Sequence, residues 1–246
     1  MNDSIKIENI TGGNNQVGGS GSTFDQIVAS EARHGASGRP AGGSPEHELH
    51  AFADIVGYSH LNARLQKVSQ DYLASVLDDS MAEAGVLPEL VSGQDQGDAS
   101  LLMFPTGTDI AKVLAVMPRY LNDELLARNQ DMALHARIRI RVAFTMGVSV
   151  RGGTGLVGGA PIAVARLANW AAFRHAMTEA AQAQCGMIMD DHLYGEYVRQ
   201  RFRPDINPDD YVPAHISYAD KGFEAAAWVK LFGYSGGQVA ALLASS

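Results

Sequence analysis

Two acidic residues 44 positions apart, Asp54 and Asp98, are the side chains of this sequence best placed to do chemistry. Asp54 lies in Phe52-Ala53-Asp54-Ile55-Val56-Gly57-Tyr58-Ser59, an apolar run that ends in Gly-Tyr-Ser. Asp98 lies in Gln96-Gly97-Asp98-Ala99-Ser100-Leu101-Leu102-Met103-Phe104, a tight turn that leads into a second apolar run. A carboxylate set among strand-forming apolar residues is costly to bury without a partner. A metal ion is the obvious partner, and two acids with the same need suggest a shared site. Each acid taken singly also has an ordinary reading, as a turn residue or a hydrogen-bond acceptor.

The elements around the acids decide whether they meet. Leu49 to Val56 reads as a buried strand. Residues 60–84 read as a helix with Leu61, Leu65, Val68, Tyr72 and Val76 on one face and Gly85 as its stop. Glu89 to Gln94 and Ala99 to Phe104 read as strands of a hairpin around the turn Asp95–Asp98, followed by a helix from Asp109 to Asn129. Ala136 to Val150 alternates Ile138, Ile140, Val142, Phe144 and Met146 with Arg137, Arg139 and Arg141, a strand with one wet face. Gly152 to Gly159 reads as a mobile glycine-rich turn, 161–182 as a helix, Met187 to Met189 as a short strand and Asp190 to Gln200 as a short helix. Tyr211 to Tyr218 and Glu224 to Leu231 read as closing strands. Strand, helix, hairpin, helix, strand is the βαββαβ order of a ferredoxin-like α+β fold with an antiparallel sheet. In that order the first and third strands are antiparallel neighbours, so the end of one, with Asp54, lies beside the start of the other, with Asp98.

Composition narrows the class. A chain of 246 residues, 46% apolar, is long enough for one domain with a sizeable core plus extra chain. We place that domain at residues 47–233, between a flexible tail of 1–46 and a flexible end of 234–246. Residues 12–46 are poor in apolar side chains and rich in Gly, Ser, Asn and Ala, too little to offset the entropy of ordering. Within the tail, Asn14-Asn15-Gln16-Val17-Gly18-Gly19 resembles the Gln-Val-Gly cores of amyloid-type signalling motifs in bacterial defence proteins, with Asn15 where a β-branched residue is usual. Such segments stack Asn and Gln side chains in cross-β assemblies. A net charge of −8 disfavours nucleic acid or an acidic membrane as the main partner. The single cysteine, Cys185, reads as a small buried apolar side chain and fits a reducing cytoplasm. Neither a signal peptide nor an apolar run of ~20 residues is visible.

The two aspartate motifs resemble those of the class III nucleotidyl cyclases, which carry Phe-x-Asp-Ile-x-Gly-Phe-Ser/Thr and, some way on, a Gly-Asp-Ala turn before an apolar strand. The similarity runs from about Ala51 to Leu231 and includes Ala136 to Ala143, Ile188 to Tyr194 and Ala227 to Leu231. It implies two divalent metal ions, Mg²⁺ or Mn²⁺, held by Asp54 and Asp98 with the Ile55 carbonyl. It implies a phosphate cradle of backbone N–H groups from Val56 to Ser59, with Gly57, Tyr58 and Ser59 in contact with substrate. The segment Gly158 to Leu167 resembles the family's Gly-x-x-Val-Asn-x-Ala-x-Arg-Leu, which implies that Arg166 is the transition-state arginine, the ordinary reading being an arginine on a wet helix face. Lys221 falls where the family has a phosphate-contacting lysine. Two positions depart from the pattern. Ile162 replaces the ribose-orienting asparagine, and Gln94 replaces the lysine that reads adenine. An amide both donates and accepts, so Gln94 suits several bases.

The resemblance implies a cytoplasmic homodimer with shared sites that converts a nucleoside triphosphate to a 3′,5′-cyclic nucleotide and pyrophosphate. The missing purine-reading set is similar to the pyrimidine cyclases of antiphage defence, whose cUMP or cCMP would act on a cyclic-nucleotide effector protein. The alternative is an inactive cyclase-homology module for signalling or assembly, which Ile162 and the missing lysine favour. Other motifs carry less. The run Gly152 to Gly159 lacks the Gly-Lys-Ser/Thr of a phosphate loop. His47-Glu48-Leu49-His50 lacks zinc-helix spacing and reads as tail. No hydrolase elbow is present.

Overall fold

The computed structural model describes residues 47–153 and 155–245. The N-terminal segment 1–46, expected to be a tail with an assembly motif at Asn14–Gly19, and its boundary with the domain lie outside the described residues. No helix of the described residues is long and apolar enough to cross a membrane.

The βαββαβ core is present. It consists of β1 (His47–Ile55), α1 (Ala63–Glu83), β2 (Ser92–Asp95), β3 (Ala99–Met103), α2 (Ile110–Gln130) and β4 (Ile140–Gly152). Beyond it come β5 (Gly155–Gly158), α3 (Gly159–Ala168), α4 (Ala171–Glu179), β6 (Cys185–Asp190), β7 (Val212–Tyr218), β8 (Phe223–Leu231) and α5 (Gly236–Ala244). The sheet runs β2-β3-β1-β4-β6-β8-β7, with β5 folded back on β4. Pairing is antiparallel except between β4 and β6, which are parallel. β1 therefore sits between β3 and β4, as the order of elements requires.

Strand alternation divides the sheet's residues between two faces. Leu49, Ala51, Ala53 and Ile55 of β1 join Val142 and Phe144 of β4 and Met187 and Met189 of β6 in a core closed by α1 and α2. On α1 the buried side chains are Ser69, Leu73, Val76, Leu77, Ser80 and Met81, while Val68 is exposed. The core face is thus turned from the expected Leu61–Val76 stripe toward Leu73 and Leu77. The helix starts on the Asn62 side chain, which accepts from Leu65 N–H, and stops before Gly85 at φ 81°.

The opposite face is not wet. α3 and α4 cover it with Ala160, Val164, Ala165, Phe173 and Met177, all buried. The approach is close: a Cβ on Gly147 of β4 would stand 2.8 Å from the Ala160 Cβ. Arg141 is consequently buried, and Arg139 donates to the Met177 and Ala180 carbonyls at 2.6 and 3.1 Å.

Several local expectations are revised. Pro88–Leu90 and Leu134–Ala136 are 3₁₀ turns, so β2 starts at Ser92 and β4 at Ile140. The glycine-rich turn is a hairpin, with Val150 opposite Val157. The helix expected over 161–182 is two helices, because the chain turns extended at Trp170 (φ −57°, ψ 128°). The helix expected from Asp190 is a short turn, Asp191–Leu193, that widens into a π-turn at Tyr194–Val198. His47-Glu48-Leu49-His50 belongs to β1, with Glu48 and His50 buried. The end of the chain, read as fraying, forms α5, started by a capping box between Ser235 and Gln238 and anchored by buried Val239.

Candidate active site

The acids meet where the topology places them. Asp54 lies opposite Ala99 of β3 on one side and Arg141 of β4 on the other. The Ile55 N–H donates to the Asp98 carbonyl at 3.0 Å, which ties the β2–β3 turn to the end of β1.

Asp54 is buried and gripped by Arg141: Nε donates to Oδ1 at 3.0 Å and Nη2 to Oδ2. Burial pushes the Asp54 carboxyl above its ordinary range, the Arg141 guanidinium opposes that, and the Asp98 charge adds to it. Asp98 is half-buried, and burial raises it as well, against its own N–H and the charges of Arg141 and Arg174. Two arginines therefore act on the pair. Arg141 was assigned to a wet strand face, and no local signal marks it. Its role follows from the β1–β4 register and from the helices over that face. Arg174 of α4 lacks any sequence signal of its own. It is exposed, and its charge reaches Asp54, Asp98 and Tyr218.

After β1 the chain turns through Gly57 in the left-handed region (φ 75°, ψ 16°) into a single 3₁₀ turn, Tyr58–His60. The Val56 N–H is spent on the Arg139 carbonyl at 2.8 Å, which removes it from the expected cradle. The N–H groups of Gly57, Tyr58 and Ser59 have no backbone partner among the described residues. Successive N–H groups around a left-handed residue form an anion nest. The Tyr58 hydroxyl accepts from Gln70 at 2.6 Å, and burial followed by the Asp98 charge raises its phenol.

Gln94 Oε1 accepts the Leu156 N–H of the β4–β5 hairpin at 3.2 Å. A backbone N–H can only donate, so the amide oxygen is committed and the NH₂ is turned away from Leu156. Gly155 permits the approach: at φ 142° a Cβ there would stand 2.2 Å from Gln94 Oε1.

Arg166 and Lys221 gather elsewhere. The Arg166 guanidinium stacks over Phe223 at 4.9 Å, its Nε is buried without a partner among the described residues, and its carbonyl accepts from Tyr218 at 3.0 Å. Lys221 lies in the turn that joins β7 to β8, two residues before Phe223. In the sheet order β8, which carries Phe223, stands three strands from β1, which carries Asp54. Ile162 lies on α3, 40% exposed.

Farther along β1, on the Asp54 face, His50 is fully buried. Its Nδ1 meets the Glu48 carbonyl at 3.0 Å, so Nδ1 carries the proton, and Nε2 accepts from the Ser149 hydroxyl at 2.7 Å.

No family model and no curated protein matches the sequence. Solved structures do match. An adenylate/guanylate cyclase/hydrolase from Silicibacter pomeroyi superimposes with a TM-score of 0.56 at 17% identity, covering 78% of this chain and 100% of that one. The guanylyl cyclase Cya2 gives 0.52 at 13% identity, covering 79% and 98%. A bacterial light-regulated adenylyl cyclase gives 0.56 at 13% identity, covering 84% of this chain and 60% of that one. The fold is that of nucleotidyl cyclase catalytic domains. On this fold the structure joins Asp54 to Asp98, Arg141 and the Gly57–Ser59 turn, and sets Arg166 and Lys221 apart at the β7–β8 end.

Proposed function

We propose that this protein is a nucleotidyl cyclase, converting a nucleoside triphosphate to a 3′,5′-cyclic nucleotide and pyrophosphate. The observation that carries the reading is the joining of Asp54 and Asp98 at the end of β1 and the start of β3, on a fold shared with adenylyl and guanylyl cyclases. In the reaction the ribose 3′-oxygen forms a bond to the α-phosphorus. The bond from that phosphorus to the bridging oxygen breaks, pyrophosphate leaves, and the hydroxyl proton is lost.

The donor set suits Mg²⁺ or Mn²⁺. Among the described residues no group of three or more His, Cys, Asp or Glu is gathered, but hard cations of this kind use one or two carboxylates and take remaining ligands from water and phosphate. Both acids are held above their ordinary range by burial, a penalty that a nearby dication relieves. Asp54, Asp98 and the Ile55 carbonyl would hold the ions. When bound, such ions make the ribose hydroxyl more acidic and take up charge on the phosphates. Gly57, Tyr58 and Ser59 would bind phosphate oxygens through their N–H groups. Arg141 and Arg174 add positive charge beside the carboxylates, and α3 with α4 shields that face from water.

The separation of Arg166 from the carboxylates supports a homodimer in which Arg166 and Lys221 complete the partner's site. Val150 and Val157, paired and about half exposed, offer apolar surface for the second copy. Gln94 in place of a lysine supports a base other than adenine, and on it rests the finer reading of a pyrimidine cyclase in antiviral defence, feeding a cyclic-nucleotide effector.

The test is to incubate the full-length protein with each of the four triphosphates and Mn²⁺ and to assay pyrophosphate and cyclic product. One triphosphate should give both. A folded protein that gives neither with any of the four overturns the proposal. That result favours the inactive module, which Ile162 and the clamp of Arg141 on Asp54 would then explain.

A further inference from the structure

Gln96 carries a hydrogen-bonding capacity that the fold leaves unused. Its Oε1 and Nε2 are both shut off from solvent and have no partner among the described residues. Arg166 Nε is the one other buried side-chain atom found in that state among them. Natural folds rarely leave such groups unmet, and where they do a ligand or a functional role is the usual cause.

Asp95 accepts from the Ser100 hydroxyl at 2.5 Å, and Gln70 donates to the Tyr58 hydroxyl at 2.6 Å. The Gln96 N–H donates to the Ala99 carbonyl at 2.7 Å, which carries the β2–β3 pairing one step past Asp95 and Ser100. Alternation along β2 then puts Gln96 on the face that bears Gln94, and Ala99 stands opposite Asp54 on that face. The unmet amide thus lies two residues from Gln94 and two from Asp98, on the side of the sheet where the carboxylates are.

We infer that Gln96 is a specificity residue that reads the nucleobase of the bound triphosphate, its amide making its hydrogen bonds only when the base is present. This rests on the nucleotide-binding part of the reading above. The two glutamines offer different things. Gln94, with its oxygen committed to Leu156, offers N–H donors alone. Gln96 offers a donor and an acceptor side by side, which pairs with a base edge carrying an adjacent acceptor and donor. A site built to hydrogen-bond its ligand rejects analogues that leave the buried groups unpaired, which is the source of its selectivity.

The test uses the full-length protein, Gln96→Leu and Gln96→Glu. Binding of ATP, GTP, CTP and UTP is measured by calorimetry with Ca²⁺, and the nucleotide-free proteins are melted. Gln96→Leu replaces an unmet amide by an apolar side chain of similar size, so its melting temperature should match or exceed that of the wild type. Its affinity spread between the best and worst triphosphate should shrink by about tenfold or more, the equivalent of about 1.4 kcal/mol. Gln96→Glu, which keeps only acceptors, should reorder the preference. An unchanged spread in both variants overturns the inference. So does a melting temperature several degrees lower for Gln96→Leu, which marks an internal structural role, and so does a wild type that binds no triphosphate. Pyrophosphate release by the wild type is scored separately. Selective binding without turnover would sustain the role of Gln96 and overturn the cyclase reading.

Discussion

Asp54 and Arg141 stand opposite one another in the β1–β4 register and close a two-pronged ion pair that is buried on both sides. The arginine is the resting counter-charge of the acid most deeply set in the candidate site. Removing either partner alone leaves the other charged and unpaired. Asp54→Ala and Arg141→Met should each lower unfolding free energy by about 3–5 kcal/mol. The double variant Asp54→Leu with Arg141→Met should recover most of that loss. Urea unfolding of the four proteins as a cycle measures the coupling, and additive losses would show that the pair is not coupled.

Asp98 behaves differently because it is half-buried and has no tight cation partner among the described residues. Asp98→Asn removes a charge that raises Asp54. The substitution should leave the melting temperature unchanged or slightly higher. Cyclic-nucleotide production should fall at least about 100-fold, because binding and catalytic groups commonly trade stability for function. A large loss of stability alongside the loss of activity would mark Asp98 as a structural residue.

The separation of Arg166 from the carboxylates leads to a mixing experiment. Asp98→Ala and Arg166→Ala proteins should each be inactive alone. Mixed in equal amounts they should regain about a quarter of wild-type activity, the share expected if subunits pair at random and one of two shared sites is intact in half the dimers. Failure to regain activity, with both proteins dimeric by light scattering, would show that each site is built within one subunit.

His50 should make the fold sensitive to mild acid. Burial holds the imidazole down at about 4 against an ordinary value of 6.5. Between those values the unfolded chain takes up a proton that the folded chain refuses. The stability is therefore complete above pH 6.5, declines as pH falls to about 4, and declines no further from this source below that. The loss across the window is of the order of 3 kcal/mol. In His50→Gln the decline should be shallower by one proton, read from urea midpoints at pH 7, 5.5 and 4.

Much of this was legible from local pattern. β1, α1, the β2–β3 hairpin, α2 and β4 are each marked by periodicity and by stops such as Gly85, and their order alone brings Asp54 beside Asp98. The misreadings share one cause. A single sequence shows which residues alternate but not what covers each face, so Arg141 was taken as solvated and Val68 as core. Short-range composition misled at the glycine-rich hairpin and at α5. There, pairing with β4 in one case and a capping box with buried Val239 in the other override the weak propensity of Gly, Ala and Ser.

By itself the sequence determined the βαββαβ order and the meeting of two acids at one sheet edge, because connectivity restricts which strands can be neighbours. Tertiary structure alone decided what surrounds those acids. The β1–β4 register chose Arg141 as the partner of Asp54, and the docking of α3 and α4 excluded water from that pair. The hairpin took the Gln94 oxygen, and the fold left the Gln96 amide unmet. Burial and partner choice arise from contacts between residues far apart in the chain, and no local pattern encodes them.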